Sequence, residues 1–145
     1  MTLFVNILIS AWGVVQETIG WIASLFTGVK GLILSLPQGR GAVAFVFVTG
    51  SCWGGVTLGR CIFLCKELAA GVETNMDGVI TKPTTAMMHE YGHFMQSCVL
   101  GPLYLLLIGI PSIIHAAWWT QFGRSTNYYS FFTEAWADKN GGVKR

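Results

Sequence analysis

The sequence predicts a mainly α, small polytopic membrane protein: one domain over 1–145, about three spanning helices, and one short strand or hairpin near 56–64. Three observations predict it. Of the 145 residues, 52% are hydrophobic and 11% charged, whereas an average soluble domain is roughly 25% charged. The few charges are also unevenly spread. The first 29 residues carry one, Glu17; the 19 residues between Arg40 and Arg60 carry none, nor do the 33 between Glu90 and Arg124. A helix needs about 20 mostly apolar residues to cross the hydrocarbon core, so the candidate spans are 2–28, 41–59 and one within 94–122. Finally, the net charge of +2 comes from nine scattered bases. Without a basic cluster no nucleic-acid partner is expected, and the partner the composition calls for is a lipid bilayer, with the chain a multi-pass integral membrane protein.

The elements follow in order. Residues 1–36 read as one long helix or two, loosened by Gly13, Gly20, Gly28 and Gly31. No basic stretch precedes the apolar run, and it passes Ser24 without a small-x-small cleavage site, so it reads as a retained helix and not a signal peptide. Trp12 and Trp21 suit interfacial anchors or packed bundle positions equally. Leu36-Pro37-Gln38-Gly39-Arg40-Gly41 is a turn by its Pro and Gly content. Lys30 and Arg40, alone in their loop, put it on the cytoplasmic side. Residues 42–49, AVAFVFVT, fit a span or a buried strand, which periodicity cannot separate. Residues 56–64 look extended, with Arg60 turned from lipid, and 66–82 form a polar, solvent-exposed loop.

A helix start is expected at Thr81-Lys82-Pro83-Thr84-Thr85, since Pro is tolerated in a first helical turn. The helix runs through AMMHEYGHFMQSCVL to a break at Gly101-Pro102; LYLLLIGIPSIIHAAWW follows, with a kink at Pro111. YYSFFTEAWADKN is a last helix, stopped by Gly141-Gly142. The cysteines, Cys52, Cys61, Cys65 and Cys98, lack zinc-ribbon spacing and read as buried thiols.

The chemistry is concentrated in His89-Glu90-Tyr91-Gly92-His93. Residues i and i+4 of a helix lie about 40° apart around the axis and about 6 Å along it. Two imidazoles so placed can converge on one Zn²⁺. Glu90 lies beside them, able to reach a metal-bound water as a general base without being a ligand. Two of the chain's three histidines and one of its seven acids form this motif, inside a stretch poor in charge. An ionisable residue in such a stretch is a functional-site hypothesis by default.

A catalytic zinc site takes a third protein ligand and leaves one position open. Downstream of His93 the only acids are Glu134 and Asp138, spaced i, i+4 on one helix face. Glu134, among Phe131, Phe132 and Trp136, is the natural third ligand. Asp138, one turn on, suits a carboxylate that fixes the tautomer of a ligating histidine.

HExxH followed by a helix with Glu134-x-x-Ala137-Asp138 resembles the gluzincin metallopeptidases. It is especially similar to the membrane-embedded ones of the CAAX-prenyl-protease and heat-shock-protease type. The resemblance covers about ten residues, His89–His93 and Glu134–Asp138. It implies zincin-like HExxH and Glu helices, Zn²⁺ held by His89, His93 and Glu134, Glu90 as general base and Asp138 supporting a ligand. The implied function is a zinc-dependent membrane endopeptidase acting on a membrane-associated peptide or protein. Strand addition along 56–64 is a zincin-like way to hold such a substrate. The alternative is a non-catalytic zinc-binding membrane scaffold or regulatory subunit.

Other site types fail on counting. Three histidines are too few for a membrane di-iron centre, and Asp77-Gly78 precedes the HExxH helix instead of following it. For the donor to the developing oxyanion, His115 and Tyr128 are candidates, with Tyr129 and Asn127 competing; His115 equally fits a hydrogen-bonded bundle histidine. The charge-free sequence around the motif places the zinc site below headgroup level, reached through a polar cleft near 66–82.

Overall fold

The computed structural model describes residues 2–27, 31–35, 43–50, 54–123 and 127–145. It is mainly helical with a small sheet. Helices α1 (Thr2–Trp12) and α2 (Val14–Thr27) are followed by strands β1 (Gly31–Ser35), β2 (Val43–Thr49), β3 (Gly55–Leu58) and β4 (Cys61–Cys65). A short helix α3 (Lys66–Ala69) leads into a small hairpin, β5 (Glu73–Thr74) and β6 (Ile80–Lys82). Helix α4 (Thr85–Leu100) ends in a 3₁₀ turn at Gly101–Leu103. A π-helical stretch, Leu105–Gly109, runs into α5 (Ile110–Phe122), and a 3₁₀ turn at Tyr128–Ser130 precedes α6 (Phe132–Gly141).

The four-stranded sheet has the order β1-β2-β4-β3. β2 and β4 are parallel at its centre, pairing Phe45 with Cys61 through Thr49 with Cys65, and β1 and β3 flank them antiparallel. A strand covered on both faces needs apolar residues at every position, and all five residues of β4 are buried. Ala44, Val46, Ile62 and Leu64 face Met87, Tyr91 and Phe94 of α4. Phe47, Cys61 and Phe63 face the other way, toward Ala23 of α2, with the Trp21 ring set against Phe45 and Phe47.

This sheet overturns the expected span at 41–59. Its described residues form β2 and β3, because β-branched and aromatic residues pack well on a pleated surface and the parallel partner β4 covers them. The 56–64 segment is a hairpin, β3–β4, with Gly59 at φ +59° in its turn. The stretch 66–82 is mostly exposed but structured. The turn at 36–41 and the Lys30–Arg40 loop fall largely outside the described residues. Cys65 is disulfide-bonded, against the expected thiol, whereas Cys61 and Cys98 are free.

At the N-terminus, Asn6–Trp12 and Val14–Thr27 meet at 95°, so 2–28 is an elbow and not one straight span. Arg60, at the hairpin turn, holds the bend. Its guanidinium donates to Glu17 Oε1 at 2.9 Å, Asn6 Oδ1 at 2.9 Å and Ser10 Oγ. Gln16 Nε2 donates to the Gly101 carbonyl at 2.9 Å. Trp12 packs on Gly101, which adopts φ +52° and has no room for a Cβ. Among the described residues one helix, Leu105–Phe122, is long and apolar enough to cross a membrane, and the bent pair passes the same test only when its two arms are joined. Leu106, Ile110, Ile113, Ile114, Trp118 and Phe122 are exposed along that helix. Pro111 comes just after the π-helical stretch, at the second residue of α5.

Candidate metal centre

Helix α4 starts at Thr85, the last residue of the expected start segment. Pro83 lies outside it, and the Thr84 side chain caps it by accepting from the Met87 N–H. His89 and His93 then stand one turn apart with Glu90 next to His89, all three buried. Helix α6 brings Glu134 in its first turn, where the partial positive charge of a helix N-terminus favours a carboxylate. Glycine sets how closely the two helices approach. A Cβ on Gly92 would sit 1.9 Å from the Ala137 carbonyl oxygen, and one on Gly141 2.0 Å from that of Met88. Gly142, at φ +70°, ends α6 as its position after the last turn requires.

This contact brings the three expected ligands together. Glu134 Oε2 is 3.1 Å from His89 Nε2 and 3.5 Å from His93 Nε2, and one ligand atom from each residue lies within 4.8 Å of the others. Ligand atoms about 2.0–2.1 Å from a tetrahedral zinc stand about 3.3 Å apart. The donor set, two imidazoles and a carboxylate, fits a catalytic divalent metal.

Each ligand has a partner on its far side. Asp138 Oδ1 is 2.7 Å from His89 Nδ1, in the supporting place expected of it, and Asp138 Oδ2 accepts from Arg145 Nε at 2.8 Å. The Arg145 guanidinium lies 3.3 Å over the ring of Tyr129, whose edge meets His89. Gln96 Oε1 is 2.7 Å from His93 Nδ1. Glu134 Oε1 accepts from Ser112 Oγ, on α5, and from Thr133 Oγ1 at 3.1 Å.

Charge follows from these contacts. Burial opposes ionisation of Glu134, but its hydrogen bonds to His89 and His93 outweigh that and hold its pKa well below the usual carboxylate range. Burial likewise opposes charge on His89 and His93. The hydrogen bond to Glu134, aided by the nearby charge of Glu90, raises both above 6.5.

Glu90 sits beside the triad against the edge strand. Thr57 Oγ1 lies 2.7 Å from its Oε2 and 3.0 Å from its carbonyl oxygen. A Cβ on Gly55 would lie 2.2 Å from Oε1, so only glycine lets β3 pass this close. Tyr104 donates to the Thr57 carbonyl at 3.3 Å and steadies the strand.

The two oxyanion candidates separate. His115 Nε2 faces the Tyr128 carbonyl at 3.1 Å, and its ring is stacked on Phe131 and Tyr128. A carbonyl only accepts, so Nε2 carries a proton committed to it and neutral His115 has no second N–H to donate. His115 thus takes the hydrogen-bonded place that its position equally fitted. Tyr128 lies close to Ser112 and Glu134; burial and the Glu134 charge push its pKa upward, so it stays protonated.

Thr57, Gln96 and Ser112 were not singled out from the sequence, nor were Gly55, Gly92 and Gly141 as points of close approach. Gln96, three residues after His93 and so on the same helix face, was detectable by spacing. Ser112 in an apolar run and Thr57 in a distant strand carry no such signal. No family model matches the chain, and no curated protein or solved structure matches it either.

Proposed function

We propose that the chain is a small zinc-dependent membrane endopeptidase that hydrolyses a peptide bond of a membrane-associated peptide or protein. One observation carries the reading: two imidazole nitrogens and a carboxylate oxygen converge at 3.1 and 3.5 Å in a buried site, with a second carboxylate, Glu90, alongside. Zn²⁺ bound by His89, His93 and Glu134 would supply a Lewis acid and lower the pKa of a water to about 7.

The chain's own residues supply the rest. Glu90, oriented by Thr57, accepts the proton of the attacking water and passes it to the leaving amine. Asp138 and Ser112 hold His89 and Glu134 in place. Tyr128, protonated and next to Ser112, is the donor for the developing oxyanion. β3 is one of the two outer strands of the four-stranded sheet and lies against Glu90. Main-chain pairing along it would lay an extended substrate beside the base, with tolerance for varied side chains.

The membrane part of the reading rests on the exposed apolar helix Leu105–Phe122 and on the apolar elbow α1–α2 as a second insertion. Ser112 belongs to that helix and bonds Glu134, which ties the site to the apolar helix.

Glu90→Gln tests the proposal. The variant should bind zinc like the parent and lose cleavage when membrane peptides and proteins are compared between cells carrying each form. An unchanged cleavage pattern, with zinc retained in both, would leave the scaffold reading in its place.

A further inference from the structure

We infer that Gln96 is a positioning residue for the metal: it sets the tautomer of His93 from a backbone carbonyl and locks that ligand to the helix carrying Glu134. The inference rests on the zinc reading of the site.

The argument starts at Thr133. Its carbonyl oxygen can only accept, and the nearer end of the Gln96 amide lies 2.8 Å away. That end is therefore the NH₂ group, whichever way the amide is drawn. The amide oxygen then faces His93 Nδ1 at 2.7 Å. An amide oxygen cannot donate, so Nδ1 carries the proton. In a neutral imidazole the lone pair is then on Nε2, the nitrogen that faces Glu134. The chain of donors leaves no other assignment for the neutral ring. Gln96 is 0% exposed, so no water competes for either end of its amide.

The same bonds fix distance. Gln96 spans from α4 to the residue next to Glu134, and one side chain thereby sets His93 relative to another ligand. His89 has a carboxylate, Asp138, in the equivalent place. The two histidines are thus held by different chemistry, an anion for one and a neutral amide for the other. A neutral partner fixes a tautomer without adding charge to a site that already contains Glu90, Glu134 and Asp138.

The two ends of the amide can be tested separately. Gln96→Glu keeps an acceptor for His93 and loses the donor to Thr133; Gln96→Leu loses both. Zn²⁺ affinity is measured by competition with a chromophoric chelator on purified full-length protein, with thermal stability of each chelator-treated variant alongside. Gln96→Leu should weaken Zn²⁺ binding roughly 10–100-fold, as removal of a ligand's hydrogen-bond partner does. Gln96→Glu should stay within about threefold of the parent in affinity, on the same principle, although its melting temperature falls. Equal affinity in Gln96→Leu and the parent would overturn the inference, and so would equal losses in both variants. Should Gln96→Leu fail to fold, ¹⁵N-histidine NMR of the parent decides. His93 should show a protonated Nδ1 and a Zn²⁺-sensitive Nε2, and the reverse pattern overturns the assignment. A parent that binds no zinc at all would instead remove the endopeptidase reading.

Discussion

His89 and His93 present their Nε2 atoms to one carboxylate oxygen, so protons and a metal ion compete for the same place. The hydrogen bond that each protonated ring donates to Glu134 outweighs burial and raises the pKa of both histidines. In chelator-treated protein that stabilisation is complete below the unfolded value of 6.5. It is lost as pH rises through the raised folded values. Zinc requires both rings unprotonated and so shows the opposite slope. The melting temperature of chelator-treated protein should therefore fall as pH rises above the unfolded value of 6.5, while the increment given by Zn²⁺ grows in the same direction. A Zn²⁺ increment independent of pH would mean the ion binds elsewhere. Substitutions separate ligands from their supports. His89→Ala, His93→Ala and Glu134→Ala should each abolish stoichiometric zinc. Asp138→Ala and Ser112→Ala should lower affinity by roughly 10–100-fold. Normal zinc binding by Glu134→Ala, measured by elemental analysis, would place the third ligand outside α6.

The contact between α4 and α6 depends on two glycines whose absent side chains are occupied by backbone carbonyls. Gly92→Ala would force the helices apart, because a Cβ cannot sit 1.9 Å from the Ala137 oxygen. Overpacking of this kind costs about 3 kcal/mol or more when the obstacle is backbone. Denaturant unfolding should show that loss together with loss of zinc, whereas Gly142→Asn should do neither, since Asn tolerates φ > 0. At this scale the sequence was partly readable. Pro83 and its neighbours marked the start of α4, Gly101-Pro102 its end and Gly141-Gly142 the stop of α6, and the i, i+4 spacings placed the two histidines on one face and Glu134 and Asp138 on another. Apolar runs misled at 41–59, where a strand buried on both faces has the same composition as a short span. The partners that hold the site were hidden for a different reason. Thr57 lies 33 residues before Glu90, and Ser112 lies 22 before Glu134, so only the fold brings them together.

The molecule has two unlike ends joined by α4. Its N-terminal end is capped by Thr84, whose hydroxyl donates to the Leu68 carbonyl near the exposed β5–β6 hairpin. Its C-terminal end runs into Trp12, Gln16 and the apolar elbow. The elbow hangs on the partly buried pair Arg60–Glu17 at 2.9 Å. Arg60→Met would strand the Glu17 charge and destabilise the protein by about 3–5 kcal/mol, and adding Glu17→Met should recover most of that loss. Equal stability of the single and double variants in detergent would mean that the pair does not hold the bend. The proposed membrane placement follows the same division. An impermeant thiol reagent should label cysteines introduced at 66–82, while positions 106, 113 and 118 on the apolar helix stay protected. The central claim, that two α4 histidines and an α6 glutamate hold zinc, is tested most directly by X-ray absorption at the zinc edge of the purified parent protein. The account predicts one zinc per chain, ringed by nitrogen and oxygen at about 2.0–2.1 Å with two imidazoles and no sulfur. A chain without zinc, or sulfur ligands at about 2.3 Å, would contradict it.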